Sequence, residues 1–331
     1  MRKLYFLLPG TGPQFACGGL WAELRVYDLA RQLGEAAIVT YRQREKGTLF
    51  LDDVLRAKVL DDVIFVLSWG FDVPKLAARL RHQPVVYHAH SAGYGFRLPS
   101  RIPIIAVSRN TMGYWGQRSS HALIYYLPNQ IADEFTNLGQ ERDIDVLVQA
   151  RKSSTYLLKE LIPALQSVCR VEVVNTYVEN LPQLFNRAKV YLYDSAEYWA
   201  QQGVTEGFGL QPLEAMACGC QVFSSVNHGL SDYLDPGFNC EKIAGYSLAY
   251  DRQRILAAIA HYPQFTLSEQ VLGQYRAPNI RDRLTKILAD LNQFFDYPLT
   301  EQTPIRDFSQ VDFWIRKSQR AWQKIRRKLG I

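Results

Sequence analysis

Short apolar runs alternate with amphipathic stretches along this chain, and the alternation is made once and then restarted. Residues 4–8 read as a first strand, and 19–33 as a helix whose Leu20, Leu24, Tyr27 and Leu33 sit near helical spacing, with Gly34 as its stop. Val- and Ile-rich runs at 37–40, 63–67, 85–88 and 104–107 follow, as strands buried on both faces require. A second set opens with a strand at 144–148, a helix at 156–168 and strands at 171–174, 190–193 and 222–224. Short helices at 181–186 and 213–217 lie between them. Such βα units build parallel sheets. The polar stretch 137–143 separates the two sets, so the predicted architecture is α/β: two Rossmann-like domains whose strand carboxyl ends face a shared cleft. The predicted division is 1–138, 139–300 and a terminal helix 301–331; no internal repeat or low-complexity segment interrupts it.

Charge narrows the partners. The chain of 331 residues carries net +6, and residues 316–331 hold seven cations (Arg316, Lys317, Arg320, Lys324, Arg326, Arg327, Lys328) without an acid, so everything before them stands at −1. A near-neutral body is a poor nucleic-acid surface. In the tail, Val311, Trp314, Ile315, Trp322, Ile325 and Leu329 fall near one helical face, opposite the cations. That pattern fits a peripheral contact with an anionic membrane through 313–331, and equally a helix packed back on the first domain. No run reaches the ~20 apolar residues of a membrane span, and the start is too short for a signal sequence. Five scattered cysteines (Cys17, Cys169, Cys218, Cys220, Cys240) suit a reduced, cytoplasmic chain, with Cys218 and Cys220 as buried thiols beside a helix end.

The chemistry concentrates in residues 205–220, Thr-Glu-Gly-Phe-Gly-Leu-Gln-Pro-Leu-Glu-Ala-Met-Ala-Cys-Gly-Cys. Gly207 and Gly209 permit a tight turn with outward amides, a helix opening at Pro212 presents free N–H groups, and Gly219 stands where a C-cap glycine belongs. Amides of this kind suit phosphates, while the carboxylates of Glu206 and Glu214 accept hydrogen bonds from sugar hydroxyls. A plain strand–loop–helix with two solvated glutamates would use the same residues.

This segment resembles the E-x7-E signature of retaining GT-B glycosyltransferases of the family 4 type, E-G-F-G-x-x-x-x-E-A-M-A-x-G-x-P-V. Glu206, Gly207, Phe208, Gly209, Glu214, Ala215, Met216, Ala217 and Gly219 match, and Cys220 replaces the usual Pro. Weaker matches cover most of the chain. Gly18-Gly19, Glu23 and Leu29-Ala30 resemble the family's glycine-led opening, which implies a phosphate-receiving loop at Gly19. His90, with His88 second, resembles the histidine near the donor sugar, where an imidazole can donate to a hydroxyl or an oxyanion. Ala106-Val107-Ser108 and Pro128-Asn129-Gln130-Ile131 resemble a junction motif, with Gln130 and Ala132 departing from it.

The resemblance implies the GT-B fold and a metal-independent transfer of sugar, with retention, from a nucleotide-diphospho-sugar to a glycan, lipid-linked sugar or small molecule, with no cofactor. It places Glu206, His90 and Arg151 at the reaction. Glu214, Gly207, Phe208, Gly209, Leu210 and Gly19 would bind the donor, with Lys152 or Lys159 completing the diphosphate site beside Arg151. A cationic pair stabilises a diphosphate leaving group without a metal. Residues 195–203 form either a lid with Tyr198 and Trp199 as a sugar-stacking platform or a surface insertion packed on its own aromatics. A nucleotide-sugar epimerase on the same fold and a non-catalytic sugar- or nucleotide-binding relative are the alternatives.

Overall fold

The computed structural model describes residues 1–57, 60, 62–68, 70–263 and 268–297, with 315, 318 and 322 of the tail. Residues 1–294 form one compact unit and 295–331 another. Within the first, β1 (Lys3–Leu8), β2 (Ala36–Thr40), β3 (Leu49–Phe50), β4 (Val63–Leu67), β5 (Val85–Ala89), β6 (Ile104–Ala106) and β7 (Ile124–Tyr126) make one sheet in the order β3-β2-β1-β4-β5-β6-β7, every pair parallel. A second parallel sheet, β12-β11-β10-β8-β9, is built from β8 (Ile144–Gln149), β9 (Val171–Val174), β10 (Ala188–Tyr193), β11 (Gln221–Ser224) and β12 (Glu241–Lys242).

Strand order fixes where ligands go. The first sheet reverses direction of travel between β1 and β4, the second between β8 and β10, and open α/β sheets bind ligands beyond the carboxyl ends of the strands at such points. Gly10–Gly19 of the first domain and Lys152 and Ser195 of the second therefore lie on the edges where a site is expected.

The helices α1 (Gly18–Leu33), α2 (Leu51–Arg56), α3 (Val73–Arg79) and α4 (Arg109–Arg118) serve the first sheet. Its core includes Leu7, Phe65, Tyr87, Ile104 and Trp115. In the second domain residues 156–168 do not form one regular helix: a π-helical turn at Leu157–Leu161 leads into α5 (Ile162–Gln166), with Pro163 at its start, where a missing N–H and a fixed φ are tolerated. Then come α6 (Leu181–Arg187), α7 (Ala196–Gln202), α8 (Leu210–Ala217), α9 (Leu248–Ala260), α10 (Glu269–Gly273) and α11 (Ala277–Asp296). The stretch around 195–203 is thus helical, and α8 begins two residues before Pro212, where the sequence pattern predicts its start.

Helix α11 reaches the first domain. The Arg2 amide donates to Asn292 Oδ1 at 2.7 Å, and the Tyr125 hydroxyl to Asp290 Oδ2 at 2.5 Å. It is amphipathic, burying Ile280, Leu284, Ile287, Leu288 and Leu291. The crossover predicted for 301–331 falls on residues mostly outside the described ones, as do the seven cations and Val311, Trp314, Ile325 and Leu329. Of the tail, Ile315, Ser318 and Trp322 are helical and exposed.

Candidate active site

The loop from β10 into α8 is a meeting point of strand ends. Tyr193 closes β10, Ser195 follows it, and Trp199 sits on α7. All three donate to one oxygen of Glu206: Tyr193 Oη at 2.5 Å, Ser195 Oγ at 3.2 Å and Trp199 Nε1 at 2.6 Å from Oε2. Lys152 Nζ approaches the other oxygen, Oε1, at 3.7 Å and lies 4.5 Å from the Trp199 ring centre. Glu206 is buried, so this set of three neutral donors and one cation replaces the water its carboxylate would otherwise require.

The backbone around Glu206 is strained. Lys152 adopts φ 72°, Val226 φ 47° and His228 φ 51°, left-handed values that non-glycine residues rarely take, and a β-branched Val least of all. His228 Nδ1 accepts the Glu206 amide at 3.4 Å, and burial pushes its imidazole towards the neutral form. Strain of this kind persists where surrounding structure over-determines it, commonly at binding sites.

Glu214 lies inside α8 and is buried. Burial raises its carboxyl to about 7, outweighing Arg25, whose Nη1 stands 3.7 Å from Oε1. Arg25 belongs to α1 of the first domain and also donates to the Gln130 carbonyl at 3.1 Å. No side chain caps α8; its N-cap Gly209 has φ 74°, leaving first-turn amides for an anion.

The two domain edges touch at this loop. Thr205 donates its amide to the Ala92 carbonyl at 3.1 Å, Ser91 Oγ donates to the Thr205 carbonyl at 2.7 Å, and the Ala92 amide donates to Thr205 Oγ1 at 3.0 Å. Any Cβ at Gly207 would overlap the His90 carbonyl oxygen, so glycine there is a demand of this contact.

Glu206, Gly207, Lys152 and His90 are therefore brought together, with Glu214 one turn inside α8. Leu210 begins that helix, and Phe208 turns its ring into the core against Tyr233 and Tyr275. Arg151 is exposed at the carboxyl end of β8. Lys159 sits on the exposed face of the π-helical turn, near Glu197. Of the two lysines, Lys152 is the one at Glu206. Gly19 lies in the first turn of α1, where a Cβ would meet little. Trp199 presents its indole N–H to Glu206 and its ring to Lys152, and is no free stacking platform.

Three participants have no signature in the sequence: Arg25, Tyr193 and the partnership of Glu23 with both histidines. Glu23 Oε2 lies 2.5 Å from His88 Nδ1 and 2.8 Å from His90 Nε2. These three residues are also the one group among those described that could offer three metal ligands. Their spacing is that of hydrogen bonds, because ligands ~2.0–2.2 Å from a tetrahedral zinc stand more than about 3 Å apart.

Comparison with known proteins bears on the second domain and on the fold. Residues 136–253 match the family model described as glycosyl transferases group 1, a span that holds Arg151, Lys152, Glu206 and Glu214. The fold is GT-B. The chain is similar to a sucrose-phosphate synthase from Thermosynechococcus elongatus (TM-score 0.64, 14% identity, 88% of this chain and 100% of that one). It is also similar to HepE of Anabaena solved with UDP (TM-score 0.63, 16% identity, 87% and 100%). A third likeness is to AviGT4, a glycosyltransferase involved in avilamycin A biosynthesis (TM-score 0.60, 13% identity, 90% and 99%). Among curated proteins no match was found.

Proposed function

We propose that this chain is a retaining, metal-independent glycosyltransferase that moves a sugar from a nucleotide-diphospho-sugar to a glycan, lipid-linked sugar or small-molecule acceptor. The observation that carries the reading is the placement of Glu206 and Glu214 on one loop–helix unit at the switch-point edge of the second sheet, within the matched family span. Glu206 and the amides of 207–209 hold the donor sugar, and Glu214 the ribose. Arg151 and Lys152 neutralise the diphosphate as it leaves, the charge a metal would otherwise supply. Retention follows from attack on the face the diphosphate leaves, with the departing phosphate taking the acceptor proton, so no protein nucleophile is required.

HepE was solved with UDP-glucose, which makes UDP-sugars the first donors to test, followed by GDP- and ADP-sugars. A true donor raises the Tm with its concentration. With that donor, Glu206→Ala and Arg151→Ala should each lose most transfer while keeping the fold; near-normal transfer by both overturns the assignment. The basic stretch 316–331 is proposed to hold the enzyme on the anionic, cytoplasmic face of a membrane. Equal binding to anionic vesicles by the full chain and by a chain ending at Phe313 would refute that part. Among the described residues no helix is long and apolar enough to cross a membrane.

A further inference from the structure

Aromatic side chains climb from the core of the first domain to its carboxyl edge. The Trp115 ring centre lies 5.0 Å from that of Phe96, Phe96 stacks on Tyr94 at 6.0 Å and 19°, and Tyr94 meets Phe71 at 4.9 Å and 83°. Trp115 is fully buried, whereas Phe71, in the turn Gly70–Asp72 that follows β4, is 73% exposed. A Cβ at position 70 would overlap the Tyr94 ring, so the turn packs closely on the column beneath it. The column therefore ends in an anchored ring held out to solvent, an arrangement that leaves apolar area in water until something covers it.

This ring stands at the switch point of the first sheet. Tyr41 and Arg42 follow β2, Phe71 and Asp72 follow β4, and Tyr94 follows β5, and strand order reverses between β1 and β4 in their midst. Tyr94 pairs with Ser91, whose hydroxyl donates to the carbonyl of Thr205, the residue before Glu206. The aromatic wall is thus carried by the loop that touches the segment leading into Glu206. Beside Phe71 the polar groups form a neutral pair: Asp72 Oδ2 accepts from Tyr41 Oη and from Arg42 Nη2, each at 2.6 Å. Oδ1 of Asp72 takes no hydrogen bond among the described residues. The carboxylate cancels the guanidinium, so a phosphate gains little here, while Oδ1 and the guanidinium N–H groups turned away from Asp72 suit hydroxyls.

We propose that Phe71 is the platform of the acceptor subsite and that the acceptor presents a neutral pyranose ring to it. The C–H face of that ring lies on Phe71, and its hydroxyls donate to Asp72 Oδ1 and accept from Arg42. The inference rests on the proposed glycosyl transfer and narrows its acceptor to a sugar, borne by a glycan or by a lipid, in place of a small molecule without one. It also moves the stacking surface that the sequence suggests at Tyr198 and Trp199 to the opposite domain, where the aromatic ring is free.

The test begins with binding. Phenylalanine is labelled with 13C in the ring in the full chain, and Phe71→Ala assigns the Phe71 signal. Methyl glycosides of glucose, galactose, mannose and N-acetylglucosamine are then titrated in with saturating UDP, GDP or ADP, whichever most raises the Tm; at least one should move that signal. With this pyranoside as acceptor, Phe71→Ala should raise the acceptor KM about tenfold and the donor KM by less than about twofold, and Phe71→Trp should restore the acceptor KM to within about threefold. Phe238→Ala removes an equally exposed ring from the second domain and should change neither constant. Methyl and dodecyl glycosides of the same sugar tell a soluble glycan from a lipid-linked one, and the penalty of Phe71→Ala should appear with both. A Phe71 signal unmoved by every pyranoside, an acceptor KM unchanged by Phe71→Ala, or a donor KM raised as far as the acceptor KM overturns the inference. Failure of the glycosyl-transfer reading shows separately, as no transfer from any nucleotide sugar, while the Phe71 signal still reports whether a pyranose binds.

Discussion

Arg25 on α1 and Glu214 on α8 face each other across the two domains, Nη1 to Oε1 3.7 Å, and α8 is a helix whose start carries no side-chain cap. The carboxylate is the more deeply buried partner, and desolvation prevails over its ion pair. A ribose held by Glu214 would have to share or displace the guanidinium. Arg25→Ala should therefore remove one contact between α1 and α8 and leave Glu214 still more reluctant to ionise.

A stability prediction follows from the same carboxyl. Its value of about 7 in the folded protein lies above the ordinary carboxylate value, so the folded state binds the extra proton between the two. Stability associated with Glu214 is fully present below the unfolded value and falls as pH rises to about 7. The full effect is on the order of 3 kcal/mol at about 1.4 kcal/mol per pH unit. Glu214→Gln should raise the Tm at pH 8 by about 4 °C and change it little at pH 5. Calorimetry of both proteins across that range checks it, and parallel curves would show that the buried carboxyl is not the source.

Trp199 gives an optical handle on Glu206. Its indole N–H is one of three donors to Oε2, and Lys152 lies over its ring. Trp199→Phe keeps an aromatic ring, though a smaller one, and removes the N–H, leaving a buried carboxylate short of one charge-assisted bond, worth about 1.5–3 kcal/mol. The expected result is a native fold with donor kcat/KM down by at least tenfold. In the unaltered protein the donor should change tryptophan fluorescence, and most of that change should vanish in the variant. Steady-state kinetics and a fluorescence titration on both proteins decide it.

The alternating pattern made both sheets legible, because strands buried on two faces need continuous apolar runs and those at 63–67 and 190–193 are framed by polar residues. Strands β3 and β12 are two residues each, too short for any periodicity to register. Residues 156–168 satisfy helical spacing, but the π-helical turn around Lys159 depends on hydrogen bonds that hydropathy does not encode. Glu206 and Glu214 stand out by spacing within one short segment. Arg25, Tyr193 and the pairing of Glu23 with the histidines do not, since each contact forms only after distant strands and helices are assembled. Glu23 in particular reads as one polar residue on an amphipathic helix, and nothing in α1 alone shows that it is buried against two histidines.

The thiols should divide by burial. Burial pushes Cys218, Cys220 and Cys240 up to about 12, and Arg142 beside the first two opposes it only in part. The thiolate is the reactive form. At pH 8 a thiol reagent should modify Cys17 first and Cys169 more slowly, and the other three should react only after denaturant is added. Mass-spectrometric mapping reads the order, and early labelling of Cys218 or Cys220 would contradict the packing of the end of α8.

The sharpest mechanical test lies at Gly207. A Cβ there meets the His90 carbonyl oxygen and the Ser91 amide, which are backbone atoms and cannot swing aside as a side-chain end can. The alternatives for Gly207→Ala are to part the two domain edges or to distort the 205–209 loop. Parting costs the three Ser91, Ala92 and Thr205 hydrogen bonds, each about 1 kcal/mol net. Both cores lie away from the contact and should survive. The expected variant has unchanged far-ultraviolet circular dichroism, a larger radius of gyration by solution scattering, faster proteolysis near 91–93 and 203–205, and a loss of donor binding. Gly113→Ala, in α4 where a Cβ meets nothing within 4 Å, is the control and should leave all four unchanged. A Gly207→Ala protein as compact and protease-resistant as the original would mean that this contact does not hold the domain edges together in solution.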